Sequence, residues 1–452
     1  MENVIPMPTH PRVVATPPGP KTRALLQKRS SLLSLPPISV PSLIVESAED
    51  CVVRDVDGNE YLDFTSFSCT MNLGHSHPAV QEAVSRQSAQ LLHSIHPDDH
   101  LSALDLADAL VKIIPVSPEK KVVYTANEAE TIESAMKLVT WHTRRHLFLS
   151  FTGASHGSTL GALTLSGGNL TRLRHVRPLL GGVVHAPYPY CYRCPFKLEL
   201  TTCNYWCVDF LEEMIFKKYL PPDEVAAIVF EPIQWAEGCV IPPSDYFQRL
   251  KKLADRWGLL LVDDEVYTGM GRTGRWCGID HWAVYPDVVC VGGALASGLP
   301  LGAVVSRAEV MDWDPDIHVS LFGGNPVACS AAITVLSVLR EKNLVENGAR
   351  MGNYLLRRLL ELKEQYPVVG DVRGKGLMIG MEFVKDKETK EPNLGVAKKI
   401  VWDSWRRGFL CGRTDGATLL LSPPLTITRD FVDKGVDLLE GSLASVTRET
   451  AH

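Results

Sequence analysis

The stretch Pro286-Asp287-Val288-Val289-Cys290-Val291-Gly292-Gly293-Ala294-Leu295 contains a short apolar run between Pro-Asp and two glycines. A second apolar run, residues 301–306, follows Gly298-Leu299-Pro300. Apolar runs of this length between turn residues are typical of strands buried on both faces of a sheet. The pattern predicts strands over 288–292 and 301–306, joined by a loop that contains Gly293.

Predicted strands and helices alternate on both sides of this stretch. The strands are predicted over 121–125, 147–151, 225–230 and 259–263, and the helices over 78–94, 101–113, 129–144, 243–257 and 326–341. Such alternation indicates an α/β fold with a mostly parallel central sheet covered by helices. In sheets of this kind, ligands bind where the carboxyl ends of strands meet the amino ends of helices.

The two ends of the chain have different patterns and predict a second, smaller α+β domain. Asp57-Gly58 between two apolar stretches predicts a β-hairpin. Beyond about residue 345, strands and helices are mixed. We predict a proline- and serine-rich segment over 1–42, a small domain made of 43–75 and 341–452, and a large domain over 76–340.

Composition restricts the classes of function. The chain has 452 residues and a formal net charge of −6, which favours neither a nucleic acid nor a membrane surface as a partner. No apolar run reaches the roughly 18 residues that span a bilayer, and no secretory signal begins the chain. We expect a cytoplasmic protein that acts on a small molecule. The basic segment 21–34 leaves an organellar address as the alternative.

Four of the eleven cysteines lie close together in sequence, as Cys191-x-x-Cys194 and Cys203-x-x-x-Cys207. Four thiolates can complete the shell of a zinc ion or an iron–sulfur cluster. The second pair departs from Cys-x-x-Cys, however, and a chain without a secretory signal keeps its thiols reduced. We therefore expect free structural cysteines and no metal, with a metal site or disulfides as alternatives.

Five blocks of the sequence resemble the class III aminotransferases, which are fold-type I enzymes that use pyridoxal phosphate (PLP). The blocks occur in the family's order and are His156-Gly157 with 159–162, Glu231-Pro232-Ile233-Gln234, Asp264-Glu265-Val266 with 268–274, residues 322–326, and Arg373-Gly374 with Gly376-Leu377. The resemblance spans about residues 18–445, and its nearest branch holds broad-specificity aminotransferases and amino-acid racemases. It implies a fold-type I architecture and a homodimer whose active sites draw on both subunits.

The resemblance fails at positions that would bind PLP. The family's Schiff-base lysine corresponds to Gly293, and its stacked aromatic ring corresponds to Ser155. The Ser-Gly turn of its phosphate cup corresponds to Asn127-Glu128. A carboxylate about 4 Å from a phosphate in a partly buried site is repelled by several kcal/mol.

Three further positions depart from the family's pattern, and four agree with it. The threonine that reaches the phosphate of the neighbouring subunit corresponds to Leu321, the glutamine after Asp-Glu-x to Tyr267, and the carboxylate-binding arginine to Leu420. The residues that remain are Asp264, which would pair with the pyridinium nitrogen, together with His156, Glu231 and Gln234.

These departures predict an enzyme that uses no cofactor and does acid–base chemistry on an amine-bearing metabolite, such as proton transfer, cyclisation, condensation or decarboxylation. Carboxylates crowded around an imidazole acquire shifted pKa values, which suits acid–base catalysts. The expected catalytic residues are Glu128, His156, Glu231, Asp264 and Tyr267.

Three alternatives stay open. His156 and Asp264 would, in the first, only stabilise the inherited fold. In the second, the chain would be a non-catalytic partner in a heterodimer with an active paralogue. In the third, it would be an atypical transaminase or racemase that binds PLP non-covalently, at the former cofactor positions Asn127, Ser155, Gln234, Asp264 and Gly293.

Overall fold

The structure is a computed structural model that describes residues 11–34, 41–96, 99–116, 118–168, 173–174, 181–414 and 416–450. The predicted segment 1–42 lies partly outside these residues, at 1–10 and 35–40. The described part forms two compact units. One contains Met1–His77 and Asn347–His452, and the other contains Pro78–Glu346.

The strands are β1 (Val45–Glu49), β2 (Val52–Asp55), β3 (Glu60–Asp63), β4 (Lys120–Thr125), β5 (Leu147–Phe151), β6 (Val183–Ala186), β7 (Val225–Phe230), β8 (Leu260–Asp264), β9 (Val288–Val291), β10 (Gly302–Arg307), β11 (Val369–Lys375), β12 (Met378–Phe383), β13 (Phe409–Leu410), β14 (Gly412–Arg413) and β15 (Thr418–Leu421).

The α-helices are α1 (Pro20–Leu32), α2 (Ser66–Cys69), α3 (Pro78–Gln90), α4 (Leu101–Ile113), α5 (Glu128–Thr143), α6 (Leu160–Leu165), α7 (Trp206–Phe210), α8 (Tyr246–Trp257), α9 (Pro326–Glu341), α10 (Leu344–Gln365), α11 (Leu394–Arg406) and α12 (Arg429–Thr450). Single 3-10 turns include Cys191–Arg193 and Gly293–Ala296. None of these described helices is both long enough and apolar enough to cross a membrane.

The larger unit is built on a sheet with the strand order β4-β10-β9-β8-β7-β5-β6. The strands β6, β5, β7, β8 and β9 pair in parallel, whereas β10 is antiparallel to both of its neighbours. The predicted α/β fold of the fold-type I class is confirmed, with one antiparallel strand inside a sheet that is otherwise parallel. Since β4 and β9 both oppose β10, they run in the same direction.

Burial on both faces explains why β7 is apolar throughout. All six residues of Val225–Phe230 are buried. On one face, Ala227 and Val229 pack in a core cluster with Ile132, Ala135 and Leu138 of α5. Helices on both faces leave no polar positions on a central strand, which is the pattern of a buried parallel sheet.

The smaller unit contains two four-stranded sheets, β1-β2-β3-β13 and β11-β12-β15-β14. The predicted hairpin at Asp57-Gly58 joins the antiparallel strands β2 and β3, and Gly58 has a φ of 87°, which suits a residue without Cβ. Leu420 lies on β15 between Gly380 and Gly412 and is only 8% exposed.

Candidate active site

Five loops of the larger unit meet at one edge of its sheet. Glu128 follows β4, His156 follows β5, Glu231 follows β7, Asp264 ends β8 and Gly293 follows β9. The five strands run in the same direction, so their carboxyl ends share this edge. Four of the five predicted catalytic residues, and the position predicted to lack a lysine, therefore lie where ligands of parallel sheets bind.

A buried polar contact joins Asp264 to His156. Nδ1 of His156 lies 2.7 Å from Oδ2 of Asp264, and the two side chains are 0% and 3% exposed. Oδ1 of Asp264 accepts a hydrogen bond from the backbone N–H of Val266 at 3.1 Å. The backbone N–H of His156 donates to Oγ of Ser166 at 2.9 Å. These bonds fix the carboxylate in position, and Nε2 of His156 is buried without a hydrogen-bond partner in the described part of the chain.

Glu231 and Gln234 brace the loop after β5. Oε2 of Glu231 accepts from the backbone N–H of Ser155 at 3.0 Å, and Nε2 of Gln234 donates to the carbonyl of Thr152 at 3.0 Å. Burial, followed by the charge of Asp264, raises the pKa of Glu231 well above its ordinary value. Burial therefore favours the protonated form of Glu231 beside Asp264.

The amino end of α5 is only partly capped. Asn127 is the N-cap, and its Oδ1 accepts from the backbone N–H of Glu130 at 3.0 Å. The carboxylate of Glu130 accepts from the backbone N–H of Ala126 at 2.7 Å. Among the described residues, no acceptor faces the backbone N–H groups of Glu128 and Ala129. Two open donors at a helix amino end suit an anion.

The side chain of Glu128 lies against Gly292. A Cβ on Gly292 would be 3.1 Å from Cγ of Glu128 and 3.6 Å from Cγ2 of Val266. Glu128 is half-buried, and the described residues provide no hydrogen-bond partner for its carboxylate. Gly293 has a φ of +48°, and a Cβ there would be 2.8 Å from the carbonyl oxygen of Val266. Tyr267, the fifth predicted catalytic residue, is half-buried and follows Val266 in the chain.

Leu321 lies in a group of exposed apolar side chains that the sequence did not predict. It is 63% exposed beside Val319 at 71% and Phe322 at 61%. The ring of Phe322 is 5.9 Å from that of His93, in the connection between α3 and α4. Large apolar side chains exposed together mark an interaction surface.

The contact between His156 and Asp264 was not predicted from the sequence. The two residues are 108 positions apart, and no spacing rule joins them. The parallel order of β5, β7 and β8 brings them together. Ser166, which holds the backbone of His156, was also missed, because a single serine after a short helix carries no sequence signal.

Comparisons with known proteins identify the same family that the sequence blocks resemble. The family model of class III aminotransferases matches residues 37–443. The chain is 39% identical over 414 residues to a leucine/methionine racemase of Thermococcus litoralis, covering 90% of this chain and 92% of that protein. It is 31% identical to a probable 4-aminobutyrate aminotransferase of Bacillus subtilis, covering 92% and 96%. An amine transaminase of an uncultivated Pseudomonas species, solved in its PLP-bound form, superimposes with a TM-score of 0.84 at 31% identity, covering 92% and 97%.

These findings contradict the expectation of an enzyme without a cofactor. The matched family is one of PLP enzymes, and the similarity to a PLP-bound transaminase covers nearly the whole chain. Two features of the site explain why it suits PLP. A fixed carboxylate, Asp264, suits a protonated pyridine nitrogen, and the open N–H groups of Glu128 and Ala129 suit a phosphate. The expectation was wrong because it rested on the positions that depart from the family's pattern and neglected these remaining groups.

Proposed function

Because the chain belongs to the class III aminotransferase family, we propose that it is a PLP enzyme that binds its cofactor without a covalent link and inverts the Cα of a neutral amino acid. The observation that carries this proposal is the buried pair of Asp264 and His156 at the carboxyl edge of the sheet. Apolar replacements of a buried polar pair are often neutral or stabilising, so a pair retained at the ligand-binding edge of the sheet favours a functional role.

Asp264 would hold the ring end of PLP. Its carboxylate would accept a hydrogen bond from the pyridine nitrogen and keep that nitrogen protonated. His156 and the backbone N–H of Val266 would keep the carboxylate oriented. Bound PLP draws electrons from the Cα of an attached amino acid, which makes the Cα proton acidic. Glu231, with its raised pKa, would add no second negative charge beside Asp264.

Glu128 would move the Cα proton that a lysine moves in other members of the family. The supporting observation is its free carboxylate beside Gly292, next to the position where Gly293 replaces that lysine. The positive φ of Gly293 and the nearby carbonyl of Val266 leave little room for a side chain. Glu128 would take the proton from one face of Cα, and water would return one to the other face.

Inversion at Cα is favoured over transamination by two observations. The racemase of Thermococcus litoralis shares 39% identity with this chain, against 31% for the aminotransferase of Bacillus subtilis. Leu420 stands where the resemblance places a carboxylate-binding arginine, which argues against a dicarboxylic acceptor. Transamination remains the second candidate, favoured by the solved transaminase that the chain superimposes on.

One experiment tests the cofactor and the reaction together. The full chain is mixed with PLP and dialysed; one portion is treated with borohydride, and a second, untreated portion receives L-methionine, L-leucine or L-alanine in D2O. We expect PLP to bind, no PLP to be fixed to the chain, and deuterium to enter Cα as the D-isomer forms. PLP fixed to another lysine, such as Lys375 or Lys137, would overturn the non-covalent site. Product formed only when a keto acid is added would favour transamination.

The chain would act as a homodimer. The support is the exposed apolar surface of Val319, Leu321 and Phe322, together with Ile95 at 95% and Leu101 at 79% exposure. Measurement of the mass in solution tests this: we expect two copies. A non-catalytic role beside an active paralogue is tested by copurification, and turnover by the isolated homodimer would contradict it.

A further inference from the structure

The connection between β6 and α7, residues 187–205, is an irregular excursion of the larger unit. The structure gives it one 3-10 turn, Cys191–Arg193, and otherwise turns and bends. Two ring contacts hold it: Phe196 lies 5.0 Å from Phe210, and the guanidinium of Arg249 lies 4.4 Å from the centre of the Tyr205 ring. A long connection without regular structure is uncommon in a compact unit unless it has a function.

Four thiols line one small pocket of this excursion and its junction with α7. Cys191, Cys194, Cys203 and Cys207 form part of the wall, with Tyr205 among the apolar residues around them. All four are free thiols. Residues spread over seventeen positions, from 191 to 207, therefore line the same small space.

The pKa values show that the sulfurs affect one another. Burial, followed by charge on Cys194 and Cys203, raises the pKa of Cys191 to about 11. Burial, followed by charge on Cys191, Cys203 and Cys194, raises the pKa of Cys207 to about 12. The charges that act on Cys191 and Cys207 come from the other cysteines of the pocket, so the four residues lie near one another.

We propose that Cys191, Cys194, Cys203 and Cys207 bind one zinc ion as a structural tetrathiolate site. Zinc favours four sulfur ligands in a tetrahedral arrangement. Each thiol loses one proton to solvent as its Zn–S bond forms, which leaves the site with a net charge of −2. The guanidinium of Arg249 lies over the ring of the pocket residue Tyr205.

Binding requires the sulfurs to turn inward. In the described part of the chain, no group of three potential ligands already surrounds one point. Each cysteine has one rotatable side-chain bond. The present contacts are weak: Sγ of Cys191 lies 4.0 Å from the carbonyl of Pro189, and Sγ of Cys203 lies 3.8 Å from that of Leu200. Rotation about Cα–Cβ breaks only these bonds, and the proposal does not depend on PLP.

The test uses the full chain, purified from zinc-supplemented cells under reducing conditions without a chelator. We expect about one zinc ion per chain by elemental analysis, as a single tetrathiolate shell requires. We also expect a thiolate-to-cobalt charge-transfer band when the zinc-free protein receives Co2+. The double variant Cys191→Ser/Cys194→Ser should lose both signals. Cys51→Ala, which removes a buried thiol outside the excursion, should keep them.

Each other outcome overturns the proposal. Absence of zinc in the purified and the reconstituted wild-type chain does so without any variant, as do disulfides mapped among the four cysteines in protein kept anaerobic. Zinc retained by the double variant would place the ion elsewhere. If the double variant does not fold, the cobalt spectrum of the wild-type chain decides, because a band without sulfur-to-cobalt character contradicts thiolate ligands.

Discussion

Two carboxylates of the candidate site, those of Asp264 and Glu128, differ in their burial and in their hydrogen-bond partners. At the β8 end, Asp264 has a donor for each oxygen and is almost fully buried. At the β4 and β9 end, Glu128 is half-buried and has no partner among the described residues. A satisfied, buried carboxylate holds one position, whereas an open one is free to accept a ligand or a proton. The comparison distinguishes the carboxylate that would hold the pyridine nitrogen from the carboxylate that would move a proton.

The largest effect is expected at Asp264. Asp264→Asn keeps the shape but removes the charge that would hold the pyridine nitrogen protonated, so the rate of Cα deuterium exchange should fall at least about 100-fold. The matched control is Asp263→Asn. Burial, followed by the charge of Glu265, raises the pKa of Asp263 well above its ordinary value and so favours the uncharged carboxyl, which the asparagine side chain resembles. Equal losses in both variants would show that Asp264 acts only through stability.

Glu128 should affect the rate without weakening the binding of PLP. Glu128→Gln should slow Cα exchange by about 10- to 100-fold, because a general base is lost. The affinity for PLP should hold or increase, since a negative charge leaves the amino end of α5. Fluorescence titration measures the affinity for PLP, and NMR measures the rate of Cα exchange. Glu130→Gln is the control, because its amide oxygen can still accept from Ala126. A normal rate in Glu128→Gln would remove this residue from the reaction.

A lysine introduced at Gly293 should destabilise the protein and fail to bind PLP covalently. A side chain at a φ of +48° is strained, and its Cβ would contact the carbonyl of Val266 at 2.8 Å. We expect Gly293→Lys and Gly293→Ala each to lower the free energy of unfolding by about 1–3 kcal/mol. Gly292→Ala should lose less, because its nearest contact is the flexible side chain of Glu128. A Gly293→Lys protein with unchanged stability and borohydride-fixed PLP would contradict this account.

The smallest effect concerns the pH dependence of stability at Glu231. Its pKa in the folded protein is raised from an ordinary 4.5, mainly by burial. Above pH 4.5 the unfolded chain releases this proton while the folded chain retains it, so stability falls as pH rises, by at most about 1.4 kcal/mol per pH unit. Glu231→Gln should show a shallower fall in denaturant titrations across this range. Glu364→Gln, exposed on α10, should follow the wild type.

Most of the larger unit could be predicted from local pattern. The strands at 147–151 and 225–230 and the helices at 101–113 and 326–341 have the predicted bounds. Other bounds shifted: β8 ends at Asp264, one residue later than predicted, and α3 ends at Gln90 instead of 94. Strand ends depend on pairing with neighbours, and β8 pairs through Asp264 with Cys290 of β9. Short strands such as β6 and β13 were missed, because four or fewer residues carry no clear period.

The candidate site was predicted as a set of residues but not as an arrangement. The order of blocks along the chain placed Glu128, His156, Glu231 and Asp264 at strand ends, and a parallel sheet must bring such ends to one edge. The positive φ of Gly293 and the free carboxylate of Glu128 depend on backbone and contacts that no residue type specifies. The expectation of no cofactor was wrong because it counted substitutions without knowing which hydrogen bonds survived.

The family resemblance singled out Gly293, whereas local composition was sufficient for the α/β class and for the order of strands and helices along the chain. Those features depend on residue type and spacing along the chain. The tertiary structure decided that Asp264 is held by His156 from 108 positions away, and that Glu128 stands open beside Gly292. Hydrogen bonds and burial between distant segments depend on the packed sheet, so only the folded chain could distinguish the hydrogen-bonded carboxylate of Asp264 from the open carboxylate of Glu128.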